Sequence, residues 1–239
     1  MTNAVCFFSG CIACNVIHCL QDENPPDVFV IFGGHLHSGS SAYIMTDGAW
    51  ETPFGAIQIE KQLASELSEK FAFEIETADR FSQDNTIELQ LPFIKYFFKD
   101  AKIVPIGAPP TKKSLEIGKA VADMSTRMGL QVKVIGSTDL THYGFNYGYT
   151  HKASGPSAVE RVTTDNDRRV VDAMLAMDPD DVIREVLTHQ NACCAGAAAT
   201  AVAASKAKGA TRAEEVAYAT SYDKHPSDSF VGYTGILFS

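Results

Sequence analysis

The residues best suited to acid–base chemistry lie in the stretch 136–144, which reads Gly-Ser-Thr-Asp-Leu-Thr-His-Tyr-Gly. The apolar run 132–135 before it predicts a buried strand that ends in a polar loop, and open α/β sheets place their chemistry at such strand ends. Asp139 and His142 are three residues apart. One turn of backbone can therefore point a carboxylate and an imidazole the same way, for proton transfer or metal ligation. The alternative is an Asx-turn beside an exposed histidine.

A second candidate loop follows the apolar run 28–32, which predicts a strand buried on both faces. The loop opens with two glycines and carries His35 and His37. Histidines on glycine-rich backbone indicate contact with a metal or a substrate; both face one side if the segment is extended, and only one faces the site if it turns. The alternatives are a surface loop with incidental histidines, or a phosphate cradle that lacks the P-loop lysine.

The six cysteines form two groups. Four lie in the first 19 residues and include the C-x-x-C pair Cys11 and Cys14. Because no second such pair follows at zinc spacing, we expect these thiols to pack as small apolar side chains of a helix. Cys193 and Cys194 precede a run of small residues, 197–204, that predicts a closely packed helix. The helix dipole lowers the pKa of a thiol at such a position, which favours a reactive thiol. The alternative is that these cysteines are small buried side chains, and the sequence does not decide between the two interpretations.

Strand and helix signals alternate along the chain, which predicts βαβ units and a mainly parallel sheet. Such a sheet brings together the strand ends that carry His35 and Asp139. The closing strands, 215–221 and 230–238, predict a hairpin at the sheet edge. With no repeat and no linker, we expect residues 1–239 to form a single domain. Helices are predicted at 57–71, 86–98, 115–128, 165–177 and 180–189, a long loop at 145–157, and a further strand at 102–106.

Composition narrows the class of protein. Hydrophobic residues make up 45% and charged residues 21%, as in an ordinary globular protein. The net charge of −9 argues against nucleic acid and anionic membranes as partners. No apolar run reaches the roughly 18 residues of a membrane span, and the N-terminus lacks the basic region of a signal peptide. Together with clustered, reduced cysteines, this predicts a cytoplasmic protein.

Five segments, together with the residues above, resemble the Memo-like family, which is related in fold to the LigB-type class III extradiol dioxygenases. The segments are 50–55, 86–93, 137–144, 218–221 and 231–236. Each lies in the family order at about the family spacing, and the match covers nearly the whole chain. The resemblance implies a three-layer α/β/α sandwich around a mainly parallel mixed sheet.

The resemblance also implies a pocket in which histidines and a cysteine hold a metal. Cys193 takes the place of the family cysteine, or Cys194 if the alignment shifts by one residue. His35 corresponds best to the histidine after the second strand, with His37 as the alternative. Asp139 and His142 match the acidic and histidine positions beside the pocket, which makes them the expected catalytic residues.

Two departures from the family pattern concern this pocket. Asn3 stands where the family usually has a histidine in its opening segment, and Asn85 replaces a second histidine. A neutral amide is a poor ligand for iron, copper or zinc beside imidazole and thiolate. The two substitutions predict a metal site that is weakened, altered or absent.

Three functions follow from the resemblance. The first is a Memo-like protein with a divergent pocket that binds iron, copper or zinc for redox chemistry on an unknown small molecule. The second is an extradiol-type, ring-cleaving dioxygenase with His142 as its acid–base residue. The third is a catalytically inactive binding module that accompanies AMMECR-type and radical-SAM proteins in an AmmeMemoRadiSam-type system.

Overall fold

The computed structural model describes residues 4–150 and 154–239, with side chains from Phe7 onward. Its helices are α1 Ala4–His18, α2 Lys61–Lys70, α3 Asn85–Glu88, α4 Leu91–Phe97, α5 Lys112–Met128, α6 Gly155–Arg161, α7 Asp167–Leu175, α8 Pro179–His189, α9 Ala195–Ala207 and α10 Ser221–Lys224. Its strands are β1 Val28–Gly33, β2 Tyr43–Met45, β3 Ala49–Trp50, β4 Ile57–Gln58, β5 Glu74–Glu76, β6 Lys102–Gly107, β7 Val132–Gly136, β8 His142–Tyr143, β9 Ala213–Thr220 and β10 Phe230–Phe238.

The main sheet has five strands in the order β5-β2-β6-β1-β7. Strands β6, β1 and β7 run parallel, whereas β2 runs antiparallel to β6 and pairs in parallel with β5. Gly33 is paired with Gly107, and Phe32 with Gly136. The three parallel strands therefore end at the same level, as the sequence predicted for a mainly parallel mixed sheet.

Helices cover both faces of this sheet. A Cβ atom added at Gly136 would lie 2.7 Å from the Ala201 side chain of α9, and one added at Gly33 would lie 2.4 Å from Thr86 of α3. Gly136 is paired with Phe32, and successive strand residues point to opposite faces. Helices α9 and α3 consequently lie on opposite sides of the sheet, which is the predicted layering of helices around a sheet.

The core centres on β1 and α9. All six residues of β1 are buried, which confirms the strand predicted from its apolar run. Helix α9 is buried from Ala195 to Ala204, and its small side chains let neighbouring backbone come close. A Cβ on Gly118 of α5 would lie 2.5 Å from the carbonyl oxygen of Thr200. The alanine-rich run therefore forms the closely packed helix that was expected.

The closing hairpin forms, but not at the edge of the main sheet as predicted. Strand β10 pairs antiparallel with β9 on one side and with β8 on the other, forming a second, three-stranded sheet. The predicted strand 215–221 ends at Thr220, because Thr220 and Asp223 form a capping box that starts α10. This second sheet holds His142, which is paired with Val231.

Two helix predictions were wrong, one at its start and one in its middle. The predicted helix 57–71 begins only at Lys61, since Ile57 pairs with Trp50 and Ile59 bridges to Ile103. The predicted helix 86–98 is interrupted between Glu88 and Leu91, so α3 and α4 are separate helices.

Further differences lie in the second half of the chain and in α1. A π-helix, Val162–Asn166, links α6 to α7, where the sequence predicted a loop up to residue 157 and a helix from residue 165. Cys11, on the outer side of α1, and Cys19, directly after this helix, are exposed rather than packed in the core. Among the helices of the described residues, none is long and apolar enough to cross a membrane.

Candidate functional site

Three segments meet at the carboxyl end of the parallel strands. Strand β1 continues into Gly34 and His35, and β7 continues into the loop that carries Asp139. The Ser137 N–H donates to the Phe32 carbonyl oxygen at 2.9 Å, which holds the two loops side by side. An antiparallel bridge between Leu140 and Ala192 then brings in the segment that leads to Cys193.

The Cys193 thiol is held by the backbone of the loop that carries Asp139. The Asp139 N–H donates to Cys193 Sγ at 3.3 Å, and the Cys193 N–H donates to the Asp139 carbonyl oxygen at 3.0 Å. Thr138 Oγ1 accepts the Cys194 N–H at 3.0 Å and lies 3.7 Å from Cys193 Sγ. These contacts fix both cysteines at the start of α9.

The His35 ring is oriented by Asp84. His35 Nδ1 lies 2.7 Å from Asp84 Oδ2, and the His35 backbone N–H donates to the same oxygen at 3.0 Å. The second Asp84 oxygen accepts the Thr86 N–H at 2.8 Å, which is the N-cap contact of α3. Because Gly33 lacks a side chain, α3 can approach β1 closely enough for this contact. With Nδ1 engaged, Nε2 is the ring nitrogen left for a second partner.

His35, Cys193 and Cys194 form a cluster of metal-type donors. One ligand atom from each lies within 4.8 Å of the others, and the two sulfur atoms are 3.5 Å apart. Cys193 is partly exposed, whereas Cys194 is buried in the core. The alternative histidine, His37, is exposed, and its backbone N–H donates to Ser40 instead. The structure therefore brings His35 and Cys193 together at the surface of the cluster, with Cys194 behind them.

The charges in this cluster stabilise a thiolate. The Cys194 thiol donates to Cys193 and, with the neighbouring His35, holds the pKa of the Cys193 thiol well below its ordinary value despite burial. The pKa of Cys194 is raised for the complementary reason, with burial adding to the shift. The hydrogen bond to Asp84, followed by that to Cys193, raises the pKa of His35 to about 10. Both shifts favour the charged forms, a Cys193 thiolate beside a protonated His35.

Asp139 and His142, the predicted acid–base pair, lie next to each other. His142 Nε2 is 3.9 Å from Asp139 Oδ2, and His142 Nδ1 lies 3.1 Å from the Leu140 carbonyl oxygen. The ring of Tyr147 packs edge-on against the imidazole. Burial, and then the charge of the nearby Cys193, raise the pKa of Asp139 to about 7. Asp139 can therefore hold or release a proton near neutral pH.

Two cavities border the site, and Asn85 lines both. One, of about 130 Å³, lies beside α1 and reaches Thr138 and Asp139. The other, of about 520 Å³, opens on His35 and has Trp50 in its wall. Within the described residues the Asn85 side chain makes no hydrogen bond. Asn3, the other amide at a family histidine position, lies outside the described residues.

Asp84 is a candidate site residue that sequence reasoning missed. Its position directly before α3 indicates only an N-cap, and its side chain fills that role by accepting the Thr86 N–H. Its second role depends on His35, which lies 49 positions away in the chain. The one signal in the sequence is that Asp84 directly precedes Asn85, which takes the place of a histidine in the pocket that the family resemblance implies.

The fold and the site together define an α/β protein with a thiolate–imidazole site at the ends of its parallel strands. A sequence model of the family described as Memo-like protein matches residues 4–237. The MEMO1 family protein PF1638 of Pyrococcus furiosus is 34% identical over 241 residues, which cover 96% of this chain and 82% of that protein. The MEMO1 family protein MK0963 of Methanopyrus kandleri is 32% identical, over 97% and 79% of the two chains. The chain belongs to the Memo-like family.

A solved structure supports the fold independently. The uncharacterized protein JW3007 from Escherichia coli K12 has a similar structure with a TM-score of 0.54. The similarity covers 92% of this chain and 90% of that one, at 12% sequence identity. At that identity the likeness concerns the fold alone.

Proposed function

We propose that this Memo-like protein binds a transition metal, either iron, copper or zinc, through Cys193 and His35, and uses the site for redox chemistry on a small molecule. The observation that carries the proposal is the Asp84–His35–Cys193 arrangement. Asp84 engages His35 Nδ1, which leaves Nε2 as the ring nitrogen not bound by Asp84, and a ring nitrogen of His35 lies within 4.8 Å of the Cys193 sulfur. Histidines that ligate metals generally donate their other ring nitrogen to such a carboxylate.

The chemistry of the donors fits these metals. A thiolate and an imidazole favour iron, copper or zinc over magnesium or calcium. Iron or copper would supply one-electron chemistry at the site, and zinc a Lewis acid. A thiol must lose its proton before it ligates a metal. Cys194, His35 and the Asp139 N–H lower the pKa of Cys193 and so favour its thiolate, whereas His35, whose pKa is raised, would have to release a ring proton on binding the metal.

The Asn85 side chain borders open space beside the proposed metal site, where a further ligand can bind. Asn85 lines the cavity beside Asp139 as well as the cleft that opens on His35. An inactive binding module would be expected to tie this side chain to the protein, yet it makes no hydrogen bond to the described residues. This observation favours a site that stays accessible to a small molecule over one filled by its own side chains.

Asp139 and His142 are proposed to exchange a proton beside the metal. With its raised pKa, Asp139 holds a proton at a pH where ordinary carboxyl groups do not. His142 Nε2 lies 3.9 Å from its carboxylate, within reach after a small movement of either side chain. Asp139 lines the cavity next to the cluster, so a bound molecule would meet this carboxyl group first.

Metal analysis of anaerobically purified protein tests the proposal. Wild type and Cys19→Ala, which changes an exposed cysteine outside the cluster, should carry the same amount of iron, copper or zinc. Cys193→Ala and His35→Ala should each carry at least about tenfold less. Equal metal content in wild type and Cys193→Ala would remove Cys193 as a ligand. Cleavage of catechols by the iron(II)-loaded protein under oxygen would instead favour the dioxygenase.

A further inference from the structure

Another cavity, of about 440 Å³, lies along β7, the edge strand of the main sheet, and shares part of its lining, including Thr138, with the cavity beside α1. Every residue of β7 lines it, and the end of β10 forms the opposite wall. Its walls combine polar and apolar surface in similar amounts, and Val134, Ile236 and Phe238 are among the apolar residues. A cavity of this size accommodates a small organic molecule.

Two lysines reach this cavity from opposite faces of the sheet. The missing side chain of Gly136 faces α9, so Lys133, an odd number of positions away, points to the other face. Lys208 directly follows α9 and approaches from the α9 side. The two ammonium groups therefore lie on either side of the open edge of β7.

The positive charge at this edge is only partly compensated. Lys133 pairs with Asp22 at 3.3 Å. Within the described part of the chain, Lys208 has no carboxylate at ion-pair distance, and its ammonium makes no hydrogen bond. Burial, and then the charge of Lys133, lower the pKa of Lys208, which indicates that the two cations repel each other. This occurs in a chain whose net charge is −9.

We infer that the cavity along β7 binds a small organic anion with an apolar body. The acidic group lies between the ammonium groups of Lys133 and Lys208, and the apolar body rests on Ile236 and Phe238. An anion there also meets the outward-facing N–H groups of an edge strand, which lack partners in the sheet. Charge-assisted hydrogen bonds of this kind orient the ligand, and the apolar part of the walls buries its body.

Fluorescence titration of the full chain with anilinonaphthalene sulfonate, an aromatic sulfonate, tests this inference. We expect saturable binding of one molecule per chain. Lys208→Gln and Lys133→Gln should each weaken binding by about tenfold, because each removes one charge-assisted contact. Lys113→Gln, on the exposed start of α5, is the matched control and should bind like wild type.

A neutral probe and a space-filling variant make the test specific. Phenylnaphthylamine, which lacks the sulfonate, should bind at least about tenfold more weakly. Its affinity should be the same in both lysine variants as in wild type. Ser205→Phe should fill the cavity and abolish binding while the circular dichroism spectrum stays unchanged. Cys193→Ala should bind like wild type, since this cavity does not include the thiol. Absence of saturable binding, or equal affinities in Lys208→Gln and Lys113→Gln, would overturn the inference.

Discussion

His35 Nδ1 lies 2.7 Å from Asp84 Oδ2, and the same oxygen accepts the backbone N–H of His35 at 3.0 Å. Asp84 also caps α3, so one carboxylate fixes both the start of a helix and the orientation of a candidate metal ligand. Burial alone would raise the pKa of Asp84, but the hydrogen bonds from His35 and Thr86 hold it well below its usual range. The hydrogen bonds from His35 and Thr86 therefore favour the carboxylate form of Asp84.

Replacing Asp84 separates these two roles. Serine is a good N-cap but is too short to reach the His35 ring. We expect Asp84→Ser to lower metal affinity by about 10- to 100-fold, as for other partners of metal-ligating histidines, while costing less than about 1 kcal/mol of stability. Anaerobic competition with a chromophoric chelator and urea denaturation measure the two effects.

The control for this prediction is Asp178→Ser. Asp178 caps α8 in the same way, with its side chain accepting the Asp181 N–H at 3.0 Å, but it lies outside the site. It should change stability by a similar amount and leave metal affinity unaltered. Unchanged affinity in Asp84→Ser would show that Asp84 does not orient a metal ligand.

Gly196 sets the distance between α9 and the loop after β6. A Cβ atom there would lie 2.0 Å from the Ala108 carbonyl oxygen, a backbone atom that cannot move aside cheaply. We expect Gly196→Ala to lower the free energy of unfolding by about 1–3 kcal/mol, as overpacking of a tight contact does. Gly39→Ala, where a Cβ would meet nothing within 4 Å, should be close to neutral in the same urea denaturation. Equal stabilities of the two variants would contradict this account of the packing.

Asp167 makes the stability of the fold depend on pH. It is fully buried and accepts the Thr141 N–H at 3.1 Å and the Tyr218 hydroxyl at 2.7 Å. Burial raises its pKa from 3.8 to about 6, although these hydrogen bonds oppose the shift. Between these two values the folded state binds more protons than the unfolded state, so this group lowers the free energy of unfolding as pH rises from 3.8 to 6.

Asp167→Asn removes this titration while keeping the side-chain shape. Relative to wild type, the variant should gain stability as pH rises through this window, by about 3 kcal/mol at most. Urea denaturation over a series of pH values measures the difference. Asp123→Asn, on the exposed face of α5, is the matched control. A difference between Asp167→Asn and wild type that does not vary with pH would contradict the prediction.

Much of the fold was predictable because local patterns agree with tertiary packing. The buried run of β1 and the alanine-rich α9 were identified from their side chains, and parallel pairing then implied that the His35 and Asp139 loops meet. The second sheet was missed because β8 is only two residues long and pairs with a strand far along the chain. Such pairing leaves no periodic signal in the sequence.

The candidate site was less predictable than the fold, for a related reason. The Asp84–His35 contact joins residues 49 positions apart, and an N-cap accounts for Asp84 without it. Cys193 and Cys194 are also neighbours in the sequence, so the sequence does not show which of the two thiols is accessible. Their different exposure arises only because Cys194 directly precedes α9 and turns its side chain into the core.

The central claim, that Cys193 and His35 hold a transition metal, is tested most directly by adding cobalt(II) to metal-free protein under anaerobic conditions. Thiolate ligation produces a charge-transfer absorption band in the near ultraviolet. We predict that this band saturates at one equivalent in wild type and in Cys19→Ala, is lost in Cys193→Ala, and is weakened in His35→Ala. A band of equal intensity in Cys193→Ala, or no band in wild type, would contradict the account.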